Sequence, residues 1–262
     1  LGGDRAKFTT VGRGRVGPGT PASRRVGAVP CPVAYWGMKV LLYPIFRLLW
    51  RVRVEGRHNV PTHGAAVVAA NHQSFCDSLF IPLAIPRRVT YLAKAEYFET
   101  WKTAWFFRAV GQIPIRRGGG DASERALATA RDVLSRGRIV GLYPEGTRSE
   151  DRFVHRGRTG VARLALECAV PVIPVGVDGT DRVQPIGLRR LRPFQRVTIR
   201  FGPAMQLARP AAPGGGPDDE STRRSLDAAS LRTFTDDLMH EIAGLAGREY
   251  RDDLASRVDA PS

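Results

Sequence analysis

Residues 65–77, Ala-Ala-Val-Val-Ala-Ala-Asn-His-Gln-Ser-Phe-Cys-Asp, run from six small apolar side chains directly into a polar cluster. A short, continuously apolar run of this kind suits a strand buried on both faces, as inside a parallel sheet. The same arrangement recurs downstream. Ile-Val-Gly-Leu-Tyr at 139–143 leads into Pro144-Glu145-Gly146-Thr147-Arg148-Ser149, and Gln-Ile-Pro-Ile at 112–115 leads into Arg116-Arg117. Further runs at 89–93 (VTYLA), 170–177 (VPVIPVGV) and 196–201 (RVTIRF) also read as strands.

Helical spacing lies between several of these runs. Asp121, with Glu124 three residues on, gives a capping-box-like start, and Ala122, Ala126, Leu127, Ala130, Val133 and Leu134 then share one face before Gly137. A second helical segment, around 160–169, carries Val161, Leu164, Ala165 and Cys168. The alternation predicts an α/β fold with a central mixed, largely parallel sheet flanked by helices. Ligands of such sheets bind outside the carboxyl ends of the strands, so the three polar clusters are expected to converge on one crevice.

The α/β domain is expected to span 55–208, between segments of different character. Residues 1–32, rich in Gly, Pro and Arg without apolar period, read as a disordered basic arm. Residues 33–54 contain the most apolar stretch, VAYWGMKVLLYPIFRLLW at 33–50, but Lys39, Pro44 and Arg47 interrupt it. A membrane-spanning helix needs about 20 nearly uncharged residues, so 33–54 is expected to be a helical interfacial membrane anchor. Tyr35, Trp36, Tyr43 and Trp50 would sit at headgroup level, with Lys39, Arg47, Arg51 and Arg53 reaching anionic lipid phosphates. The alternative is a helix packed on its own domain. Residues 209–225 read as a Pro/Gly-rich linker. Residues 226–250 read as a helix docked through Leu226, Leu231, Phe234, Leu238, Ile242 and Leu245, and 251–262 as a tail.

The chain has 262 residues and a net charge of +15, with 43% hydrophobic residues and three Cys. This excludes collagen-like, disulfide-stapled and bulk-disordered chains. The charge divides into +9 over 1–54, +10 over 55–208 and −4 over 209–262, so the excess belongs to the front and the body. A polyanionic partner is implied, either nucleic acid or an anionic membrane. No aromatic-rich nucleic-acid motif accompanies the arginines, which favours the membrane. Cys31, Cys76 and Cys168 form no Cys/His ligand grouping, which fits a reducing compartment and argues against a zinc site.

His72 and Asp77 are spaced so that, at a strand-to-helix turn, the carboxylate can reach one imidazole nitrogen. Asp77 then fixes the tautomer and stabilises the cation formed when the other nitrogen takes a proton. A substrate hydroxyl can be the attacking group. Ser74 or Cys76 as a covalent nucleophile is the alternative, although neither lies in a nucleophile elbow; as a further alternative, His72 and Asp77 only cap the following helix. Arg116, Arg117 and Arg148 supply guanidinium forks matched to phosphate, while Gly146 and Thr147 allow close backbone approach with a hydroxyl donor. Glu145 either accepts from a substrate hydroxyl or orients the arginines.

Four of these segments, in order, resemble the motifs of the glycerolipid acyltransferases, the 1-acyl-glycerol-3-phosphate acyltransferase family. They are Asn71-His72 with Asp77, Gly111-Gln-Ile-Pro-Ile-Arg116-Arg117, Tyr143-Pro-Glu-Gly-Thr-Arg-Ser149 and Val170-Pro-Val-Ile-Pro-Val175. The likeness covers roughly 36–205, and Gly247-Arg-Glu-Tyr250 is similar to the end of bacterial members. The resemblance implies that His72 is the general base and Asp77 its partner. It implies attack by a lysophospholipid hydroxyl on a thioester of CoA or acyl carrier protein, without an acyl-enzyme, giving phosphatidic acid for phospholipid biosynthesis. Arg116, Arg117, Glu145, Gly146, Thr147 and Arg148 would bind the glycerol phosphate, with Asn71 and Pro171 structural or acyl-chain residues. Family members often carry an acidic or small residue where Arg116 stands. The implied partners are lysophospholipid, acyl thioester, an anionic membrane surface and acyl carrier protein, without nucleic acid, cofactor or metal. The implied location is peripheral or monotopic on the cytoplasmic face of the cell membrane. Other acceptors (glycerol 3-phosphate, another lysolipid or a glycolipid) and a non-catalytic anionic-lipid-binding protein are the alternatives.

Overall fold

The computed structural model describes residues 32–109, 111–115, 122–188, 190–208 and 220–255. The helices are α1 (Pro32–Leu49), α2 (Asp77–Ala84), α3 (Trp101–Ala109), α4 (Ala122–Ser135), α5 (Gly160–Cys168), α6 (Thr180–Val183) and α7 (Glu220–Ala246). The strands are β1 (Arg51–Glu55), β2 (Ala66–Ala70), β3 (Val89–Lys94), β4 (Ile113–Ile115), β5 (Ile139–Leu142), β6 (Val154–His155), β7 (Val172–Asp178), β8 (Arg196–Phe201) and β9 (Tyr250–Arg251). Seven strands form one sheet in the order β1-β8-β7-β2-β5-β3-β4, and β6 pairs separately with β9. Within the large sheet only the β7–β8 pair is antiparallel. The fold is thus the mixed, largely parallel α/β sheet that the apolar runs predict, and β7, β2, β5, β3 and β4 end on one edge.

Small apolar residues place β2 at the centre, because a strand with neighbours and helices on every side has room for little else. Its five residues are all buried. Ala66, Val68 and Ala70 face one core with Phe46, Trp50, Phe80 and Ile81, whereas Val67 and Ala69 face the other with Leu127, Val133, Leu164, Leu238 and Ile242. The two-residue strand period therefore sends α1 and α2 to one face and α4, α5 and α7 to the other.

The N-terminal segment departs from the interfacial-anchor reading of 33–54. Tyr35 and Trp50 are buried rather than at headgroup level, and Phe46 is buried with them. Trp50 Nε1 donates to the Arg192 carbonyl at 2.7 Å. Lys39 turns inward, donating to the carbonyls of Pro82, at 2.7 Å, and Ile85 at the end of α2. Burial, with Arg57 nearby, lowers its pKa to about 8. Residues 51–54 belong to β1, where Val52 and Val54 alternate with exposed Arg51 and Arg53. The opposite face of α1 stays apolar and open: Val40 is 72% and Leu48 80% exposed. One side of α1 thus packs on the domain as the alternative reading has it. No helix among the described residues is long and apolar enough to cross a membrane.

The C-terminal boundaries shift too. Helix α7 begins at Glu220, so the last residues of the expected 209–225 linker are helical, while 209–219 lie outside the described residues. Glu220 suits the positive end of a helix, and that signal lies hidden behind the Pro/Gly run. The helix stops at Ala246 rather than reaching 250, because Gly247 turns left-handed (φ 65°). Residues expected as tail are built in, since β9 pairs with β6 and Arg156 N donates to the Asp253 carbonyl at 2.9 Å. Of the expected arm at 1–32, residues 1–31 lie outside the described residues, and Pro32 begins α1.

Candidate active site

Adjacent parallel strands deliver the first and third polar clusters side by side. In the β2–β5 register Ala69 lies opposite Leu142, so the turns that follow meet. Ser149 N donates to the His72 carbonyl at 2.8 Å, and His72 N donates to Glu145 Oε1 at 3.0 Å. On the other flank Asn71 completes the sheet beyond the end of β2. Its amide donates to the Val177 carbonyl at 2.9 Å and accepts from Val177 N at 2.8 Å, a side chain acting as one more rung between β2 and β7. Asn71 is therefore structural.

Asp77, fully buried at the start of α2, gathers the loop around one oxygen. Its Oδ2 lies 2.9 Å from His72 Nδ1 and accepts from Gln73 N at 2.8 Å and Ser74 N at 2.9 Å. This leaves His72 Nε2 as the free nitrogen of a ring whose side chain is 18% exposed. Such a pair can take a proton from a bound hydroxyl and hold the resulting cation. The alternative nucleophiles are engaged elsewhere. Ser74 Oγ donates to the Gln184 carbonyl at 2.9 Å and accepts from Cys76 N, while Cys76 Sγ donates to Gln184 Oε1 at 3.3 Å. Burial pushes the Cys76 thiol up to about 12, the reverse of what a nucleophilic thiol needs.

Glu145 is turned into the protein instead of toward a ligand. It is 2% exposed, with Oε1 on His72 N and Oε2 accepting from Ser149 Oγ and from His155 N at 3.3 Å. Burial raises its pKa against the pull of these bonds. Its oxygens therefore brace the two motifs together. Gly146 turns with φ 76°, and a Cβ there would lie 2.9 Å from Arg158 Nε. The guanidinium of Arg158, which no motif singles out, thus lies across the Gly146–Thr147–Arg148 turn. Neither Arg148 nor Arg158 forms an ion pair among the described residues. Arg116 and Arg117 lie outside the described residues, although β4 leads toward them on the same sheet edge. Pro171 precedes β7 at the opposite edge, where its carbonyl accepts from Val67 N at 3.0 Å, a structural place remote from His72.

The loop after Glu145 is tied to the C-terminal segment through His155. Its Nδ1 lies 2.7 Å from Asp253 Oδ1 and its Nε2 2.9 Å from Asp151 Oδ1. Burial opposes a charge on this ring, but the two carboxylates outweigh it and raise the pKa above the ordinary 6.5. Because the folded value exceeds the unfolded one, this contribution is complete below the ordinary value and is lost as pH rises through the folded one. Protection of the β9 amides against hydrogen exchange is therefore expected to weaken as pH rises above the ordinary imidazole value of 6.5 and through the raised one, after correction for intrinsic exchange. Asp253→Asn is expected to flatten that dependence; an unchanged profile in the variant would refute the assignment.

A crevice between α1 and α2 opens beside Ser78, lined by Met38, Leu42, Leu79 and Leu83. It lies one residue along α2 from Asp77.

Residues 51–178 match the protein family described as Acyltransferase. The chain is 28% identical over 149 residues to a chloroplast 1-acyl-sn-glycerol-3-phosphate acyltransferase of Arabidopsis thaliana, covering 56% of this chain and 40% of that one. It is 29% identical over 194 residues to 1-acyl-sn-glycerol-3-phosphate acyltransferase alpha of Mus musculus, covering 72% of this chain and 66% of that one. The chain thus spans 40% to 66% of the length of these two relatives. The crystal structure of the 1-acyl-sn-glycerophosphate acyltransferase of Thermotoga maritima has a TM-score of 0.55 at 25% identity, covering 78% of this chain and 79% of that one.

Proposed function

We propose a reaction for a chain that belongs, through residues 51–178, to the acyltransferase family: transfer of a fatty acyl group from a thioester of CoA or acyl carrier protein to the free hydroxyl of 1-acyl-glycerol 3-phosphate. The product is phosphatidic acid, a precursor in phospholipid biosynthesis. The observation that carries this reading is the His72–Asp77 pair, fixed by three bonds to one carboxylate oxygen at the carboxyl edge of the sheet. His72 Nε2 removes the proton as the acceptor oxygen attacks the thioester carbon, and the thiol departs with the proton that His72 returns. His72 and Asp77 need no metal for this step. Arg148, with Arg158 across Gly146, supplies the positive charge for the acceptor phosphate.

The open face of α1 supports a reading of where the enzyme works. Val33, Val40, Leu41 and Leu48 are exposed along it, Trp36 is 43% exposed, and α3 adds exposed Trp101 and Trp105. Such a face suits peripheral binding at an anionic cytoplasmic membrane surface, with Arg47 at the headgroups.

The test is transfer from acyl-CoA to lysophosphatidate, beside glycerol 3-phosphate, a second lysolipid and uncharged monoacylglycerol. Product with lysophosphatidate is expected; no transfer to any acceptor would leave a lipid-binding protein instead. Arg148→Ala is expected to raise KM for lysophosphatidate by about 10-fold to 100-fold, with kcat within about threefold, because a guanidinium on phosphate contributes to binding before it contributes to chemistry. The residual rate with monoacylglycerol should not change.

A further inference from the structure

Three aromatic rings run in a row from His72 into the core. The His72 imidazole lies flat on the Tyr143 ring, with centroids 3.8 Å and planes 9° apart. Tyr143 in turn stacks on Tyr91, at 5.3 Å and 23°. Tyr91 stands in β3, next to β5, with its ring over Gly141, where a Cβ would come within 2.3 Å of Tyr91 Cζ. The Tyr143 hydroxyl is held as well, 2.8 Å from Ser78 Oγ, one residue beyond Asp77.

The bond to Asp77 holds His72 at one point on its edge and leaves the ring free to tilt about that bond. General-base catalysis requires more, since Nε2 must meet the acceptor proton within a narrow cone. A parallel ring at van der Waals distance removes the tilt. Once Nε2 is protonated, the same contact places a cation against the face of an electron-rich phenol.

We infer that Tyr143 is a positioning residue for acyl transfer, its ring setting the plane of the His72 imidazole and its face stabilising the imidazolium. The inference rests on His72 being the base. In the step concerned the acceptor O–H bond breaks, the proton passes to Nε2, and the oxygen electron pair forms the new C–O bond at the thioester carbon. The C–S bond then breaks, and the departing sulfur takes the proton back from the imidazolium. Burial raises the Tyr143 hydroxyl well above its ordinary pKa, so the phenol stays neutral throughout.

Steady-state transfer from acyl-CoA to lysophosphatidate separates the ring from its hydroxyl. Tyr143→Phe keeps the ring and is expected to stay within about threefold of the wild-type kcat, whereas Tyr143→Leu is expected to lose about 30-fold in kcat with KM within about twofold. Tyr143→Met, unbranched and able to fill the space, is expected to show the same loss and serves if the Leu variant does not fold. Wild-type kcat in a folded Leu or Met variant overturns the inference. So does an equal loss in Tyr143→Phe, which would shift the effect to the hydroxyl, or a change confined to KM. Activity surviving in His72→Ala would instead remove the base, so the two failures are distinguishable.

Discussion

Replacing His72 by alanine is expected to cut kcat for acyl transfer by about 10³-fold or more, with KM for both substrates within about threefold. Nε2 is the only nitrogen of the pair left free for a substrate proton, because Nδ1 faces Asp77 at 2.9 Å. The imidazole itself supports little of the fold. Its loss leaves Asp77 Oδ2 still accepting from Gln73 N and Ser74 N, so the thermal midpoint should fall by only a few degrees. Asp77→Ala is the contrasting case. It loses the orienting carboxylate and also strands two buried main-chain amides, each at a cost of about 1–3 kcal/mol. That variant should lose both rate and stability, while His72→Ala should lose rate alone. Steady-state kinetics beside thermal melts of the two proteins make the comparison. Near-wild-type turnover in His72→Ala would remove the base from the mechanism.

The sheet was legible wherever a strand is apolar on both faces and stops at a polar cluster. β2 and β5 have that form, and their order along the chain, with the apolar runs that become β7 and β8, carries the α/β reading. β1 was not legible, because Val52 and Val54 follow directly on the apolar helix and a four-residue alternation is lost beside it. The same helix shows why charge alone misplaces a residue. Lys39 reads as a headgroup ligand until α2 is seen to end beneath it with two carbonyls to satisfy. His72 and Asp77 were legible because five residues across a strand-to-helix turn are enough to define their meeting. The bracing role of Glu145 and the stacking of Tyr143 were not, since their partners depend on which strands are neighbours, and strand order cannot be read from periodicity. Arg158 carries no local signal. Its main-chain N donates to the Pro144 carbonyl at 2.8 Å, and the left-handed turn at Gly146 leaves room for its guanidinium beside the third motif.

Glu145→Ala is expected to lower the stability of the fold by about 2–4 kcal/mol and kcat by about 100-fold, with a much smaller change in KM for the phosphorylated acceptor. The carboxylate is 2% exposed and accepts from His72 N, Ser149 Oγ and His155 N. Alanine leaves all three donors buried without an acceptor, and the first of them is the main chain of the residue that carries the imidazole. The turn after β2 then loses its hold on the turn after β5, and the base is no longer fixed at the sheet edge. A Glu145 that bound the acceptor would behave in the opposite way. Its removal would raise KM steeply and leave the melting temperature nearly unchanged, since an exposed ligand carboxylate supports no buried donors. Arg148→Ala supplies the reference for that second pattern within the same turn. Glu145→Gln sharpens the distinction, because an amide keeps the shape of the carboxylate but turns one acceptor into a donor facing either His72 N or the Ser149 and His155 pair. It should therefore remain destabilised, by about 1–3 kcal/mol. Thermal melts with lysophosphatidate saturation curves on Glu145→Ala, Glu145→Gln and Arg148→Ala decide between a brace and a ligand. A Glu145→Ala protein with wild-type stability and a KM like that of Arg148→Ala would return the residue to the phosphate site.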